Sequence, residues 1–152
     1  MGYRYTIGER TRTRKVRLTI VNWIDPGRAL AHRILVVDDE PDFCSALHDI
    51  LENDGYDVDQ APSALVALSL LERVTPDLIL TDVMMPGMDG LAFLREVRAH
   101  PVWGSIPAVV VSAKGTPQDI AAAREAGADG YLTKPFSARE LRQAVSAFFS
   151  PQ

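Results

Sequence analysis

The length, composition and charge of the chain already narrow the classes of protein to which it can belong. The chain has 152 residues, of which 47% are hydrophobic and 24% are charged, so it carries enough apolar surface for one packed domain. No stretch reaches the roughly 18 apolar residues that cross a bilayer, and the N-terminus lacks the apolar core of a signal peptide. We therefore expect a cytoplasmic protein with no membrane partner. The single cysteine, Cys44, excludes an internal disulfide framework.

Charge is distributed unevenly between the two ends of the chain. Residues 1–32 carry seven basic and two acidic side chains, whereas residues 33–152 carry nine and eighteen. An acidic domain binds nucleic acid poorly but can supply carboxylates to a metal ion. We interpret residues 1–32 as a basic N-terminal extension, either flexible or the product of an early assigned start, and this arm is the one place where nucleic acid is a candidate partner. Residues 33–152 are the predicted functional domain.

Short apolar runs alternate with helical patterns from Arg33 onward, which is typical of strand–helix repeats and a parallel sheet. Apolar residues at helical spacing predict a helix after each strand; the second contains Leu65, Leu68 and Leu71. A short alanine-rich helix is predicted over residues 117–126, and the second strand is expected at an edge of the sheet. The predicted strands are residues 34–37, 56–61, 78–81, 108–111 and 130–133.

Polar side chains follow four of these strands, all four expected to be buried. Asp38 and Asp39 follow the first strand, Asp82 the third, Ser112 the fourth and Lys134 the fifth. In open parallel α/β sheets, ligands bind outside the carboxyl ends of the strands. Each residue has a simpler interpretation when taken alone: the first two acids could be charges at a helix start, and the lysine could form a surface ion pair. Packing alone does not explain the whole set.

Clustered carboxylates raise one another's pKa unless a cation lies between them. A set of oxygen ligands suits Mg²⁺ or Mn²⁺, and Mg²⁺ typically uses one or two carboxylates, waters and a phosphate. Lys134 and the hydroxyl of Ser112 can both bind phosphoryl oxygens. Phosphoryl transfer depends on this kind of positioning and charge neutralisation. The sequence therefore predicts phosphoryl chemistry at the carboxyl edge of the sheet.

Four sequence blocks resemble the response-regulator receiver family of two-component systems, in particular its chemotaxis-type single-domain receivers. The blocks are ILVVDDE (34–40), LILTDVMMPGMDG (78–90), VVVSAK (109–114) and GADGYLTKPF (127–136). The resemblance covers residues 33–149. It implies a doubly wound α/β fold with a five-stranded parallel sheet in the flavodoxin-like order 2-1-3-4-5 and helices on both faces.

The resemblance also implies roles for individual residues. Asp82 would be the phosphoacceptor. Mg²⁺ would be held by Asp39 and Asp82, by Asp38 largely through water, and by the backbone carbonyl of Met84. Gly90, together with the Pro86–Gly87 pair, fits the tight turn after the third strand.

The remaining implied roles concern the last two blocks. Ser112 and Lys134 would bind the phosphate, and Ser112 and Tyr131 would be the switch residues that respond to it. The Lys134–Pro135 peptide bond would be cis, a conformation that is largely confined to bonds preceding proline.

The family's partners are a histidine kinase or a histidine phosphotransfer protein, and a downstream protein that binds helix 4, strand 5 and helix 5. Such a protein is no enzyme in the usual sense, because it catalyses only its own phosphorylation and dephosphorylation. Two alternatives are considered. An aspartyl-phosphate phosphatase of the haloacid dehalogenase kind would carry a second acid where this chain has Met84. A phosphorylation-independent pseudo-receiver, which acts only in docking, would have lost an acid or the lysine.

Overall fold

Strands and helices alternate along the computed structural model of the protein, which describes residues 31–149. The strands are β1 (Arg33–Val37), β2 (Asp57–Ala61), β3 (Leu78–Thr81), β4 (Ala108–Ser112) and β5 (Gly130–Thr133). The helices are α1 (Pro41–Asn53), α2 (Ala64–Leu71), α3 (Gly90–Ala99), α4 (Pro117–Ala126) and α5 (Ala138–Ser146). No helix within residues 31–149 is both long and apolar enough to span a bilayer. The predicted N-terminal extension, apart from its last two residues, lies outside the described residues.

The strands form one parallel sheet in the order β2-β1-β3-β4-β5. This order and the doubly wound α/β class confirm the predicted fold. One detail differs, since β5 was expected to be a buried strand. It lies at an edge with β4 as its single neighbour, so its residues are half-buried or exposed.

Each face of the sheet has its own apolar core. Alternation along a strand sends side chains to opposite faces, and helices cover both. Leu35 and Ile79 belong to the core beneath α2, α3 and α4, whereas Val36 and Leu80 belong to the core beneath α1 and α5. Burying a side chain of this size contributes about 1.5 to 3 kcal/mol. Because α1 covers one face and α3 the other, the crossover from β1 to α1 and the crossover from β3 to α3 leave the sheet on opposite faces.

The helix α2 buries a different set of residues from the one its leucine spacing suggests. Its buried residues are Ala64, Ala67 and Leu71, whereas the side chain of Leu65 is 67% exposed. The two alanines allow the helix axis to lie close to the sheet.

Arg98 of α3 connects several segments at the end of the sheet where β4 and β5 begin. Its Nε donates to the carbonyl of Gly127 at 2.9 Å, and its Nη1 donates to the carbonyls of Ile106 at 2.6 Å and Gly104 at 3.3 Å. Its Nη2 lies 2.9 Å from Asp129 Oδ2. Gly127, with a φ of +106°, is the residue that ends α4. One side chain thus fixes the end of α4 to α3 and to the start of β4.

Candidate functional site

The register of the two central strands brings Asp38 and Asp82 together. Val37 of β1 pairs with Thr81 of β3, and the amide of Asp82 donates to the carbonyl of Val37 at 2.9 Å. The two aspartates follow these paired residues, at the crevice where the crossovers diverge. One carboxylate oxygen from each of Asp38, Asp39 and Asp82 lies within 4.8 Å of the others. Asp38 and Asp82 are both buried, and Asp39 is the most exposed of the three.

The outer strands add a hydroxyl and an ammonium group to this edge. Ser112, fully buried at the end of β4, pairs with Thr133, and its carbonyl accepts the amide of Lys134 at 2.8 Å. Lys134 Nζ lies 2.9 Å from Asp38 Oδ2 and 3.5 Å from Asp82 Oδ2. The peptide bond between Lys134 and Pro135 is cis. The structure thus brings the three predicted acids and the lysine together, and it places Ser112 at the end of the neighbouring strand, bonded through its backbone to Lys134.

Burial and charge act in opposite directions on the pKa of Asp38 and on that of Lys134. Burial raises the pKa of Asp38. The Glu40 amide, which donates to Asp38 Oδ1, and the ammonium of Lys134 both lower this pKa, but burial has the larger effect. Burial alone would lower the pKa of Lys134, but the hydrogen bond and charge of Asp38 and the charge of Asp82 outweigh it, so the pKa is raised. Lys134 is therefore protonated at neutral pH. One ammonium beside three carboxylates leaves an excess of negative charge when all three are ionised.

The backbone around Asp82 is held by short-range contacts. Asp82 Oδ1 accepts from the amide of Val83 at 2.7 Å and from that of Met84 at 3.4 Å. The buried Thr81 hydroxyl donates to the Asp82 carbonyl at 2.9 Å. A Cβ atom at Gly90 would lie 1.8 Å from that carbonyl oxygen. Thr81 was not predicted to belong to the site, although a threonine at the end of an otherwise apolar strand was a signal in the sequence.

Comparison with known proteins identifies the class of domain. The family model for the response regulator receiver domain matches residues 34–146. The chain belongs to the response regulator receiver family. An uncharacterised 14.6 kDa protein from Leptolyngbya boryana is 44% identical over 115 residues, which span 76% of this receiver and 88% of that protein.

Solved structures that are similar to this chain are also receiver domains. The signal receiver domain of a signal transduction histidine kinase from Syntrophus aciditrophicus is 35% identical, with a TM-score of 0.73 over 78% of this receiver and 89% of that chain. The chemotaxis protein CheY4 of Vibrio cholerae is 27% identical, with a TM-score of 0.76 over 78% of this receiver and 99% of that chain. This chain is therefore similar both to chemotaxis receivers and to a receiver within a kinase.

In this receiver, Ser112 and Tyr131 are both bonded to the loop that follows β4. The amide of Lys114 donates to Ser112 Oγ at 3.2 Å, and the hydroxyl of Tyr131 donates to the carbonyl of Lys114. Because Tyr131 pairs with Val110, its side chain lies on the same face of the sheet as that of Ser112. Burial raises the pKa of Tyr131, and an interaction with the Ser112 hydroxyl opposes that rise. Residue 114 therefore links the two predicted switch residues.

Two residues in the first turns of α1 also contact the site, and their contacts were not predicted. Lys134 Nζ lies over the ring of Phe43, 3.8 Å from the ring centroid. The Sγ of Cys44 donates to the carbonyl of Asp38 at 3.3 Å. Burial raises the pKa of this thiol to about 11, so it is protonated and unreactive at neutral pH. Cys44 is thus a small buried residue of α1.

Proposed function

We propose that this receiver takes a phosphoryl group onto Asp82 from the phosphohistidine of a histidine kinase or a histidine phosphotransfer protein. The observation that carries the proposal is the convergence of Asp82, two further carboxylates and a protonated lysine at the crevice of the sheet. The product is an acyl phosphate, and the signal leaves through a conformational change that a partner recognises. A cytoplasmic location is part of this proposal. Residues 1–32 are taken as an extension outside it, because every proposed site residue follows them.

Asp82 acts as the nucleophile. One of its carboxylate oxygens bonds to phosphorus while the phosphorus–nitrogen bond of the donor breaks, and the imidazole leaves with the bonding pair and takes up a proton. The hydrogen bonds from Val83 and Met84 to Oδ1 hold the carboxylate in one orientation. Positioning of this kind lowers the barrier because the reactants need no further reorganisation. Lys134, already beside Asp82, supplies positive charge to the phosphoryl oxygens in the transition state.

The donors at the site fit a divalent cation. They are all oxygen atoms, and the excess negative charge of the three acids suits a doubly charged ion. Mg²⁺ or Mn²⁺ would be held by Asp39, Asp82 and the Met84 carbonyl, with Asp38 acting largely through water. When bound, the ion neutralises charge that develops on the phosphoryl oxygens.

Both alternatives from the sequence have less support. The residue two positions after Asp82 is Met84, whose 59% exposed side chain has no ionisable group, so a phosphatase of the haloacid dehalogenase kind would lack its general acid. A pseudo-receiver would have lost one of the acids or the lysine, and Asp38, Asp39, Asp82 and Lys134 are all present.

Acetyl phosphate with Mg²⁺ should add one phosphate to the protein at Asp82. Small phosphodonors replace the kinase because the receiver's own residues provide the chemistry. Intact-protein mass spectrometry measures the addition. Borohydride reduction of the acyl phosphate followed by peptide mapping identifies the residue, since the reduced aspartate becomes homoserine.

The control is the same reaction in EDTA, where uptake should fall to background. Absence of an adduct with both acetyl phosphate and phosphoramidate would contradict the proposal, as would a reduced residue other than Asp82. Equal phosphate uptake in EDTA would contradict the part of the proposal that requires a metal ion.

The output surface in this proposal is formed by α4, β5 and α5. A small cavity lies between α4 and β5, lined in part by Ile120, Ala123 and Tyr131. An acyl phosphate at Asp82 offers new acceptor oxygens near Ser112, whose hydroxyl can then form a charge-assisted hydrogen bond. This bond draws Ser112 and its loop toward the phosphate, and Tyr131 changes rotamer as the contact at Lys114 is disturbed.

Replacing Ser112 with alanine should leave phosphorylation intact but weaken this response. One hydrogen bond to a charged group contributes about 1.5 to 3 kcal/mol, enough to shift a two-state equilibrium roughly tenfold to a hundredfold. Amide NMR of α4 and β5 with and without beryllofluoride, a mimic of the phosphoryl group, measures the shift. The Ser112→Thr variant keeps the hydroxyl and should respond like wild type. Shift changes in Ser112→Ala as large as those of wild type, with Tyr131 in one rotamer throughout, would disprove the coupling.

A further inference from the structure

Lys134 is held from the side of α1 as well as by the acids. Its side chain is 16% exposed, and its Nζ lies 2.9 Å from Asp38 Oδ2 and 3.8 Å from the centroid of the Phe43 ring. We propose that Phe43 is a positioning residue for phosphoryl transfer, which holds the Lys134 ammonium over the carboxylate pair. This inference rests on the proposed function.

The interaction suits a lysine that has to change partners. A cation over the face of an aromatic ring is attracted by the ring's quadrupole, and the attraction grows when the pair is removed from water. Lysine carries a compact charge on a flexible four-carbon stem, so its head is not fixed by its own geometry. The ring restricts the position of the ammonium group but offers no oxygen atom that would compete for its N–H groups. The N–H groups then remain available for the oxygens of an incoming phosphoryl group.

The ring itself is held by the segment that carries the lysine. Phe43 and Phe136 have centroids 5.9 Å apart and planes at 79°, an edge-to-face arrangement. Phe136 follows Lys134 by two residues, so the loop after β5 is attached to α1 through the two rings. Both rings pack against the same apolar core. A bulky neighbour at position 136 limits rotation of the Phe43 ring, and a leucine side chain there would still fill most of that space.

The consequence is specific to the phosphoryl step. With the ring removed, Lys134 keeps its contacts with the acids but can also point into solvent, so a fraction of molecules lacks the ammonium at the place where phosphoryl charge develops. The affinity for a phosphoryl mimic and the phosphorylation rate should both fall. The affinity for Mg²⁺ should not fall, because the Phe43 ring contacts Lys134 and Phe136 and not the proposed metal ligands.

The test compares Phe43→Leu with Phe43→Tyr and with Phe136→Leu. We expect Phe43→Leu to weaken beryllofluoride binding and to slow phosphorylation by acetyl phosphate, each by about threefold to tenfold. Phe43→Tyr keeps a ring and should remain close to wild type. Phe136→Leu is the matched control, since it removes a ring of equal size from the same cluster and leaves the ring beneath Lys134. A spectroscopic readout accompanies the kinetics: the Lys134 Cε protons should be shifted upfield by the ring current in wild type and Phe136→Leu, but not in Phe43→Leu.

Each outcome decides the inference. Wild-type affinity, rate and Lys134 shifts in Phe43→Leu would overturn it. A parallel loss of Mg²⁺ affinity, or an equal loss of rate in Phe136→Leu, would also overturn it, because the ring would then act through general packing. If wild type itself fails to bind beryllofluoride, the proposed function fails instead. In that case the Lys134 shifts still report whether the ring holds the ammonium.

Discussion

Replacing Asp82 with asparagine should reduce phosphoryl uptake by more than about a thousandfold, because a neutral amide oxygen is a poor nucleophile. The substitution changes the fold little. Asparagine has nearly the same shape, its Oδ1 can still accept from the amide of Val83, and Lys134 keeps its shorter contact with Asp38. We expect the free energy of unfolding to change by no more than about 1 kcal/mol. Mass spectrometry after incubation with acetyl phosphate and Mg²⁺ measures the uptake, and urea unfolding measures the stability.

The matched control is Asp89→Asn in the same loop. Asp89 is exposed and accepts from the amide of Ala92 at the start of α3, so the substitution removes a carboxylate of the same segment outside the acidic cluster. Its uptake should equal that of wild type. Equal labelling of Asp82→Asn and wild type would show that another residue accepts the phosphate.

A methyl group at Gly90 should be among the most damaging single substitutions in the receiver. The added Cβ would lie 1.8 Å from the Asp82 carbonyl oxygen and 2.8 Å from its carbonyl carbon, and both are backbone atoms. Relief requires α3 or the Asp82 segment to move, and forced movement in a packed interior costs about 3 kcal/mol or more in such a case. Because the displaced segment carries Asp82, the proposed phosphoacceptor, phosphoryl uptake should fall together with stability. Urea unfolding of Gly90→Ala gives the free energy, and the acetyl phosphate reaction gives the uptake.

Gly87→Ala provides the comparison. Gly87 has a φ of +78°, and a Cβ there would meet no atom within 4 Å, so the cost is limited to the left-handed backbone, about 1 to 2 kcal/mol. Gly90→Ala should be clearly the less stable of the two. If its stability lies within 1 kcal/mol of wild type by urea unfolding, the close approach of α3 to Asp82 is not a constraint on this fold.

Much of the site could be predicted because its residues directly follow strands. A parallel sheet places the carboxyl ends of all its strands along one edge, and the strand order implied by the family resemblance puts the first strand beside the third, so Asp38 and Asp82 were expected to lie together. Strand assignment was straightforward since the central strands are short runs of apolar residues. The fold and the acidic cluster therefore required no knowledge of side-chain packing.

The parts that could not be predicted depend on how helices sit on the sheet. Phe43 contacts Lys134 because of the rotation of α1 about its axis, which residue spacing does not define. Gly90 was assigned to turn chemistry, whereas the structure shows close packing of α3 against the Asp82 backbone. In α2, leucine spacing indicated an apolar face, but the alanines Ala64 and Ala67 lie against the core. Periodicity identifies a helix, and the distance between helix and sheet decides which of its residues are buried.

The hydrogen bonds of Arg98 hold only one of the two ends of α4. The arginine fixes the helix at Gly127, the end farther from the acidic site, while the other end begins at Thr116, just after the loop to which Tyr131 is bonded. A helix of ten residues is about 15 Å long, so a rotation of about ten degrees around Gly127 would move the N-terminal end by roughly 2.6 Å. Arg98 therefore fixes the end of α4 that lies farther from Asp82. Any rotation of α4 about that end would displace Pro117 the most, on the side of the sheet where Asp82 lies.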